Sequence, residues 1–203
     1  MRLGLSKRKH LPCLFLDQNE IAFPLWSYRL LAYVEQSHLK LDKDGIFALA
    51  EVREGAYSPP FSLVGKTVLD LGACCGETAW FYLRLGAAKV YCVECNPDRI
   101  SILEENKKNN GLNVEVIPEP LKIEHLLKFE YDFIKCDVEG AETILLDYMK
   151  LKGPLKPCVL EVHGEELKKR FIEERFRVSA NTKNPTCWIM NNWHDVDNKS
   201  AHS

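Results

Sequence analysis

From residue 66 to residue 163, short apolar runs alternate with longer stretches in which apolar residues recur at helical spacing. Short runs bounded by turn residues read as buried strands, and the helical spacing reads as helices packed on a sheet. The predicted strands are 66–71, 89–93, 113–117, 132–136 and 157–162. Between them the pattern predicts helices over 77–85, 97–110, a short one near 123–127, 140–150 and 165–174. Pro97 opens the second of these and Gly111 ends it, the usual asymmetry of helix termini. Residues 176–179 and 187–190 read as a closing antiparallel pair. This order predicts an α/β fold with a mostly parallel sheet covered by helices on both faces.

The pattern before residue 57 is different. Cys13–Leu16 and Ile21–Pro24 flank Asp17-Gln18-Asn19-Glu20 as a hairpin. Ser37–Leu41 and Ile46–Ala50 flank Asp42-Lys43-Asp44-Gly45, whose Asp-Gly step predicts a second hairpin. Trp26–Gln36 has helical or irregular character, and residues 1–12 read as a basic, unordered tail. The division expected is a mainly antiparallel β extension over 1–56 and one α/β domain over 57–203. Glu51–Phe61 links the two past the mouth of a binding site, where Tyr57 either covers a ligand or packs the linker onto the core.

Composition adds constraints. The 203 residues are 46% hydrophobic and 28% charged, ordinary for a globular chain. A net charge of −2 gives no bulk reason to bind nucleic acid. No apolar run approaches the ~20 residues that span a bilayer, and Met1–His10 lacks a signal-like apolar core, so a cytoplasmic protein without membrane contact is expected. The eight cysteines fall mostly within predicted strands and turns and read as reduced core residues. Cys92-x-x-Cys95 has half the spacing of a zinc site, but an extended strand turns its thiols to opposite faces.

The chemistry concentrates where the first core strand meets its helix, at Asp70-Leu71-Gly72-Ala73-Cys74-Cys75-Gly76-Glu77. A strand, a small-residue turn and a helix bring backbone N–H groups up to a ligand. Glu94 follows Gly76 by about eighteen residues, at the end of the second strand, where a carboxylate can accept ribose hydroxyls. A pyrophosphate-binding Gly-x-Gly-x-x-Gly would need glycine at 74 and 77, where the chain has Cys74 and Glu77. Glu77 would also repel a pyrophosphate at the helix N-terminus. The alternative without a ligand is that Gly72 and Gly76 turn the chain and Asp70 caps the helix, which leaves Glu94 unexplained.

Ligands of open α/β sheets sit at the carboxyl ends of the strands. Here those ends carry Asp70, Glu94, Asp137 and the pair Glu161 and His163. Asp137, Glu139, Glu142 and His163 are the groups able to take a proton there. Asp137, Glu139 and Glu142 are alternatively carboxylates decorating a helix N-terminus, which explains Glu142 better than the others, and His163 is equally explained as a hydrogen-bonded residue at a strand end. No metal is expected; a metal-assisted variant would use Asp137, Glu161 and His163.

Asp-x-Gly-x-x-x-Gly at Asp70, Gly72 and Gly76 resembles motif I of class I S-adenosylmethionine (SAM) methyltransferases. Phe133-Ile134-Lys135-Cys136-Asp137-Val138-Glu139-Gly140-Ala141-Glu142 resembles a signature of FkbM-type methyltransferases, and Leu160-Glu161-Val162-His163 a later segment of theirs. Gly65–Ala73 and Gly86–Tyr91 are similar to the same family, whose likeness runs from about Gly65 to His163. Cys74 departs from the small polar residue more usual there. The resemblance implies a Rossmann-like class I methyltransferase sheet, SAM as cofactor, and O-methylation of a small-molecule or sugar acceptor. It places Asp70, Gly72 and Ala73 at the methionine end, Glu94 at the ribose, Asn96 by the adenine, and Asp137 beside the transferred methyl; Gly76 and Cys95 complete the expected cofactor-binding set with Tyr57. Glu94–Pro97 and the helix around Glu104–Asn109 also resemble archaeal tRNA guanine methyltransferases. Against that, the fourth strand ends in Asp137-Val138-Glu139-Gly140 and not in an Asn-Pro-Pro-Tyr type segment. A non-catalytic SAM-fold binding protein is the third reading.

Overall fold

The computed structural model describes residues 2–5, 12–16, 21–24, 36–181 and 186–193. Strands β1 (Arg2–Leu5), β2 (Pro12–Leu16) and β3 (Ile21–Pro24) form a three-stranded antiparallel sheet. The hairpin expected at 13–24 is present, with Leu16 opposite Ile21. Arg2–Leu5, expected in an unordered tail, pairs instead with Pro12–Leu16. Of the segment expected to be helical or irregular, Trp26–Gln36, all but Gln36 lies outside the described residues, as do the Asp17–Glu20 turn and residues 6–11 of the tail.

The second predicted hairpin is a helix. Asp42-Lys43-Asp44-Gly45 opens α1 (Lys43–Arg53), with Asp42 as its N-cap accepting from the Gly45 N–H at 2.7 Å. The Asp-Gly pair that suggests a turn thus serves a cap. Ile46, Leu49 and Ala50 repeat at helical spacing, and that face is buried against the next helix.

The main sheet has β4 (Thr67–Leu71), β5 (Lys89–Val93), β6 (Val114–Ile117), β7 (Phe133–Cys136), β8 (Cys158–His163), β9 (Arg177–Asn181) and β10 (Cys187–Asn191). Its order is β6-β5-β4-β7-β8-β10-β9. The pairs from β6 to β8 are parallel, and β10 runs antiparallel to both β8 and β9. The connecting helices are α2 (Glu77–Arg84), α3 (Pro97–Asn110), α4 (Ile123–Lys128), α5 (Thr143–Lys152) and α6 (Glu165–Glu173).

Strand periodicity of two sorts the core into two layers. Leu69, Leu71, Ile134, Cys136 and Leu160 pack against Leu126, Leu145, Leu146 and Phe171 of α4, α5 and α6. Val68, Val90, Phe133 and Val159 pack with Val52, Ala79, Tyr82 and Leu103 of α1, α2 and α3. Each fully buried Leu, Ile or Phe contributes about 1.5–3 kcal/mol. The chain leaves β4 toward β5 and β6, then returns to the other side of β4 as β7. That reversal opens a crevice at the carboxyl ends of β4, β5 and β7, the place where open α/β sheets hold ligands. Among the described residues no helix is long and apolar enough to cross a membrane.

Candidate cofactor site

The crevice holds a cavity of about 370 Å³, within the ~300–1,000 Å³ usual for small-molecule sites. Gly72, Cys74, Glu77, Glu94, Cys95, Asn96, Arg99, Lys135, Asp137 and Glu139 are on its wall, with Asp44 and Ala48 from α1 and Glu119–Leu121 after β6. A larger hollow of about 470 Å³ beneath α1 is lined by Val52, Phe61, Phe81 and Leu85 with Arg53, and carries no cluster of acid–base groups.

The turn after β4 is built around close approach. Gly72 has φ +76°, and a Cβ there would stand 1.8 Å from the Asp137 carbonyl oxygen. The ends of β4 and β7 therefore meet at a position that admits only glycine. Gly76 has φ +86° and is the N-cap of α2, away from the cavity wall. Between them Cys74 takes φ +46°, and its Sγ lies 4.0 Å from Cys75 Sγ and from Asp42 Oδ1.

Behind Gly72 is a buried ion pair. Asp70 and Lys135 are register partners on β4 and β7, on the face shared with Val68 and Phe133. Lys135 Nζ lies 3.3 Å from Asp70 Oδ1 and donates to the Gly72 carbonyl at 2.6 Å. Asp70 also accepts from the Thr78 hydroxyl at 2.5 Å. Burial pushes the Asp70 carboxyl up, while Lys135 and Thr78 pull it down. Burial alone would push the Lys135 ammonium down, but the carboxylates of Asp70, Asp137 and Glu77 outweigh it and hold its pKa high. Asp70 thus acts on the cavity through Lys135 and does not line it.

Glu94 is 6% exposed and stands on the wall. Its carboxylate accepts from the N–H groups of Cys74 at 2.9 Å and of Cys95 and Asn96, both at 2.8 Å. A carboxylate has about four acceptor sites, so capacity remains toward the cavity. The same bonds tie the turn after β4 to the turn after β5. Asn96 lines the cavity, but its side-chain oxygen caps α3 through Asp98 N–H at 2.9 Å, with Pro97 in the first turn as expected.

Glu77 is a functional candidate that the sequence pattern did not single out. It is fully buried and lines the cavity. Oε2 accepts from the Cys75 N–H at 3.1 Å, and Oε1 has no hydrogen-bond partner. Burial first, then nearby Cys74, pushes this carboxyl well above its ordinary range. A buried acceptor without a partner is costly unless a ligand satisfies it. Arg99 is the other addition; it meets Asp44 at 2.5 Å and Asp42 at 3.4 Å, fastening α1 over the wall.

Several expected residues lie beside the cavity and not on its wall. Ala73 is buried, with its N–H on the Val93 carbonyl at 3.1 Å. Tyr57 does not line the cavity: it is fully buried, its ring lies under Lys135 Nζ at 5.5 Å, and its hydroxyl donates to Glu161 at 2.8 Å. Asp137 Oδ2 lies 3.5 Å from that hydroxyl, which connects the wall to Glu161. Glu139, by contrast, is on the wall, exposed at its rim. His163 is off the wall, with Nδ1 2.6 Å from the fully buried Glu142 and Nε2 3.7 Å from Glu161.

The hydrogen bond to Glu142 raises His163 to about 8 against the opposing effect of burial, with further support from Glu161 and Asp137. A histidine raised from ~6.5 contributes stability that is complete below the unfolded value and lost as pH rises through the folded one. Unfolding in urea with EDTA should therefore show a stability loss on the order of 1–2 kcal/mol between pH 6 and pH 9 from this group. Glu142→Gln should flatten that slope; an unchanged slope would remove His163 as its source.

No family model matches the chain. The ribosomal protein L11 methyltransferase of Salmonella arizonae is 35% identical over 107 residues, 50% of this chain and 32% of that protein. The chain spans 26% to 32% of the length of such curated relatives. The METTL16 MTase domain matches with a TM-score of 0.60 at 15% identity, over 96% of this chain and 87% of that one. Aeropyrum pernix fibrillarin, solved with natively bound S-adenosyl-L-methionine, matches with a TM-score of 0.53 at 15% identity, over 71% of this chain and 73% of that one. The fold is that of class I SAM-dependent methyltransferases.

Proposed function

We propose that the chain is a SAM-dependent methyltransferase whose cofactor occupies the cavity between Gly72, Glu94 and Asp137. The observation that carries this reading is the charge of the wall. Asp44, Glu94, Glu119, Asp137 and Glu139 face it, with the buried Glu77 carboxyl among them, against Arg99 and Lys135. A cavity so acidic repels phosphates and favours a ligand bearing a sulfonium and an ammonium. Glu77 Oε1 is assigned to the ammonium, because it is the buried acceptor that needs a donor. Glu94 is assigned to the ribose, and the backbone at Gly72 to the close approach of the methionine chain. The sulfur region then falls toward Asp137.

SAM supplies an electrophilic methyl group, which an acceptor oxygen attacks as the carbon–sulfur bond breaks and a neutral thioether leaves. The protein's part is in-line placement of the acceptor and removal of its proton. Asp137 is the group on the wall placed to take that proton; Glu139 stands at the rim. Behind Asp137, the Tyr57 hydroxyl donates to Glu161 at 2.8 Å, and His163 Nε2 stands 3.7 Å from the same carboxylate. The O-methyl assignment and a small-molecule or sugar acceptor rest on the likeness of Phe133–Glu142 to the FkbM-type segment.

Glu94→Gln should weaken SAM binding about tenfold, the scale of one hydrogen bond to a charged group. An unchanged dissociation constant would take Glu94 out of the site. The activity is tested by incubating the protein with methyl-labelled SAM and a cell extract, then separating metabolites, RNA and protein. Label in the metabolite fraction is expected. Label confined to RNA or protein would overturn the acceptor class, and none in any fraction would overturn the activity.

A further inference from the structure

We infer that Glu161, His163 and Cys187 form a binding site for a divalent metal of the zinc class, beside the cofactor cavity. The sheet itself builds the cluster. In the antiparallel pair of β8 and β10, Cys187 stands directly opposite His163. Glu161 precedes His163 by two positions and so shares its face of the sheet. One ligand atom from each residue lies within 4.8 Å of the other two. None of the three lines the cofactor cavity.

The imidazole is held as metal-binding histidines are held. Its Nδ1 is fixed at 2.6 Å by the buried Glu142 carboxylate, which turns Nε2 toward Glu161 at 3.7 Å. A carboxylate on one ring nitrogen orients the other toward an ion and raises its basicity. The second oxygen of Glu142 is buried with no hydrogen-bond partner, an open acceptor beside the imidazole. Glu161 is arranged to match: Oε2 takes the Tyr57 hydroxyl, and Oε1 faces the imidazole.

One thiolate, one imidazole and one carboxylate suit zinc or cobalt better than magnesium or calcium, which prefer oxygen alone. Tetrahedral bonds of ~2.0–2.3 Å place ligand atoms roughly 3.3–3.8 Å apart. The cluster closes by about an ångström, through side-chain rotation on a backbone fixed by the strand ladder. Three protein ligands leave a fourth position for water or an exogenous oxygen.

Cobalt(II) titration of the reduced 203-residue chain tests the site. Saturation at one equivalent, with a thiolate-to-cobalt charge-transfer band that zinc removes by displacement, is expected. Cys187→Ser should abolish that band, while Cys74→Ser and Cys75→Ser should leave it. Glu142→Gln should keep the band and weaken cobalt binding roughly 10- to 100-fold. Should Cys187→Ser fail to fold by circular dichroism, Glu161→Gln serves, with the band retained and affinity reduced about tenfold. A band that survives Cys187→Ser, unchanged affinity in Glu142→Gln and Glu161→Gln, or no saturation at one equivalent overturns the site. The probe is the metal alone, so this outcome is independent of whether SAM binds.

Discussion

Gly72→Ala is expected to abolish cofactor binding and to destabilise the fold by about 3–5 kcal/mol, combining left-handed strain with overpacking. The backbone holds φ +76°, and the added Cβ would stand 1.8 Å from the Asp137 carbonyl oxygen. That neighbour is main chain at the end of β7, so no side-chain rotation relieves the overlap. Either β4 and β7 part or the turn refolds, and both displace Cys74 N–H from Glu94 and Asp137 from the wall. The loss is a large share of the ~5–15 kcal/mol that holds a typical domain together. Gly76→Ala is the internal comparison: its Cβ would meet Leu103 Cγ at 3.3 Å, a side chain able to move. Urea midpoints and calorimetry with SAM measure both variants. A Gly72→Ala protein within about 1 kcal/mol of wild type, with unchanged affinity, would show that the strand ends do not meet as described.

Lys135→Met is expected to cost about 3–5 kcal/mol, the range for removing one partner of a buried pair. Asp70 is fully buried and would lose its counter-charge, and the Gly72 carbonyl would lose a donor at 2.6 Å. Asp70→Asn added to Lys135→Met should recover more than half of the loss, because a neutral amide can keep the Thr78 contact. The pH dependence has a definite sign. Burial raises the Asp70 carboxyl even beside Lys135, and more so without it. A carboxyl raised on folding binds its proton more tightly in the native state, so its stabilising share is present at low pH and lost as pH rises through the folded pKa. The single variant should therefore be relatively more stable in acid, and the double variant should lack that slope. Equal stability of the single and double variants would separate Asp70 from Lys135.

The α/β half of the chain was legible because each element carried its own periodicity and boundary residues. The order of β4 to β8, the Pro97 start and Gly111 stop of α3, and the closing pair of β9 and β10 all follow from local pattern. The segment over 37–50 misled because Asp42 and Gly45 serve two motifs. An Asp-Gly step suits a hairpin, and an Asp with its partner three residues on suits a cap; burial of Ile46, Leu49 and Ala50 decides for the helix. With that helix come Asp44 and Ala48 on the cavity wall, which no motif announced.

The site was legible where backbone geometry dictates residue type. Gly72, Glu94 and Asp137 meet because strand ends converge at the reversal of sheet order, and the spacing of the motifs reports those ends. Lys135 and Glu77 were visible only as letters inside motifs. Their importance comes from register and burial: Lys135 stands opposite Asp70 across two strands, and Glu77 turns inward from the first turn of α2. Tyr57 and His163 show the converse. Both stand around Glu161 behind Asp137, one step away from the wall.

Calorimetric titration of the protein with SAM bears most directly on the assignment of the acidic cavity. Saturable binding at one site is expected, weakened by Glu94→Gln and lost in Gly72→Ala. The absence of any binding heat at millimolar SAM, with the protein folded, would contradict it.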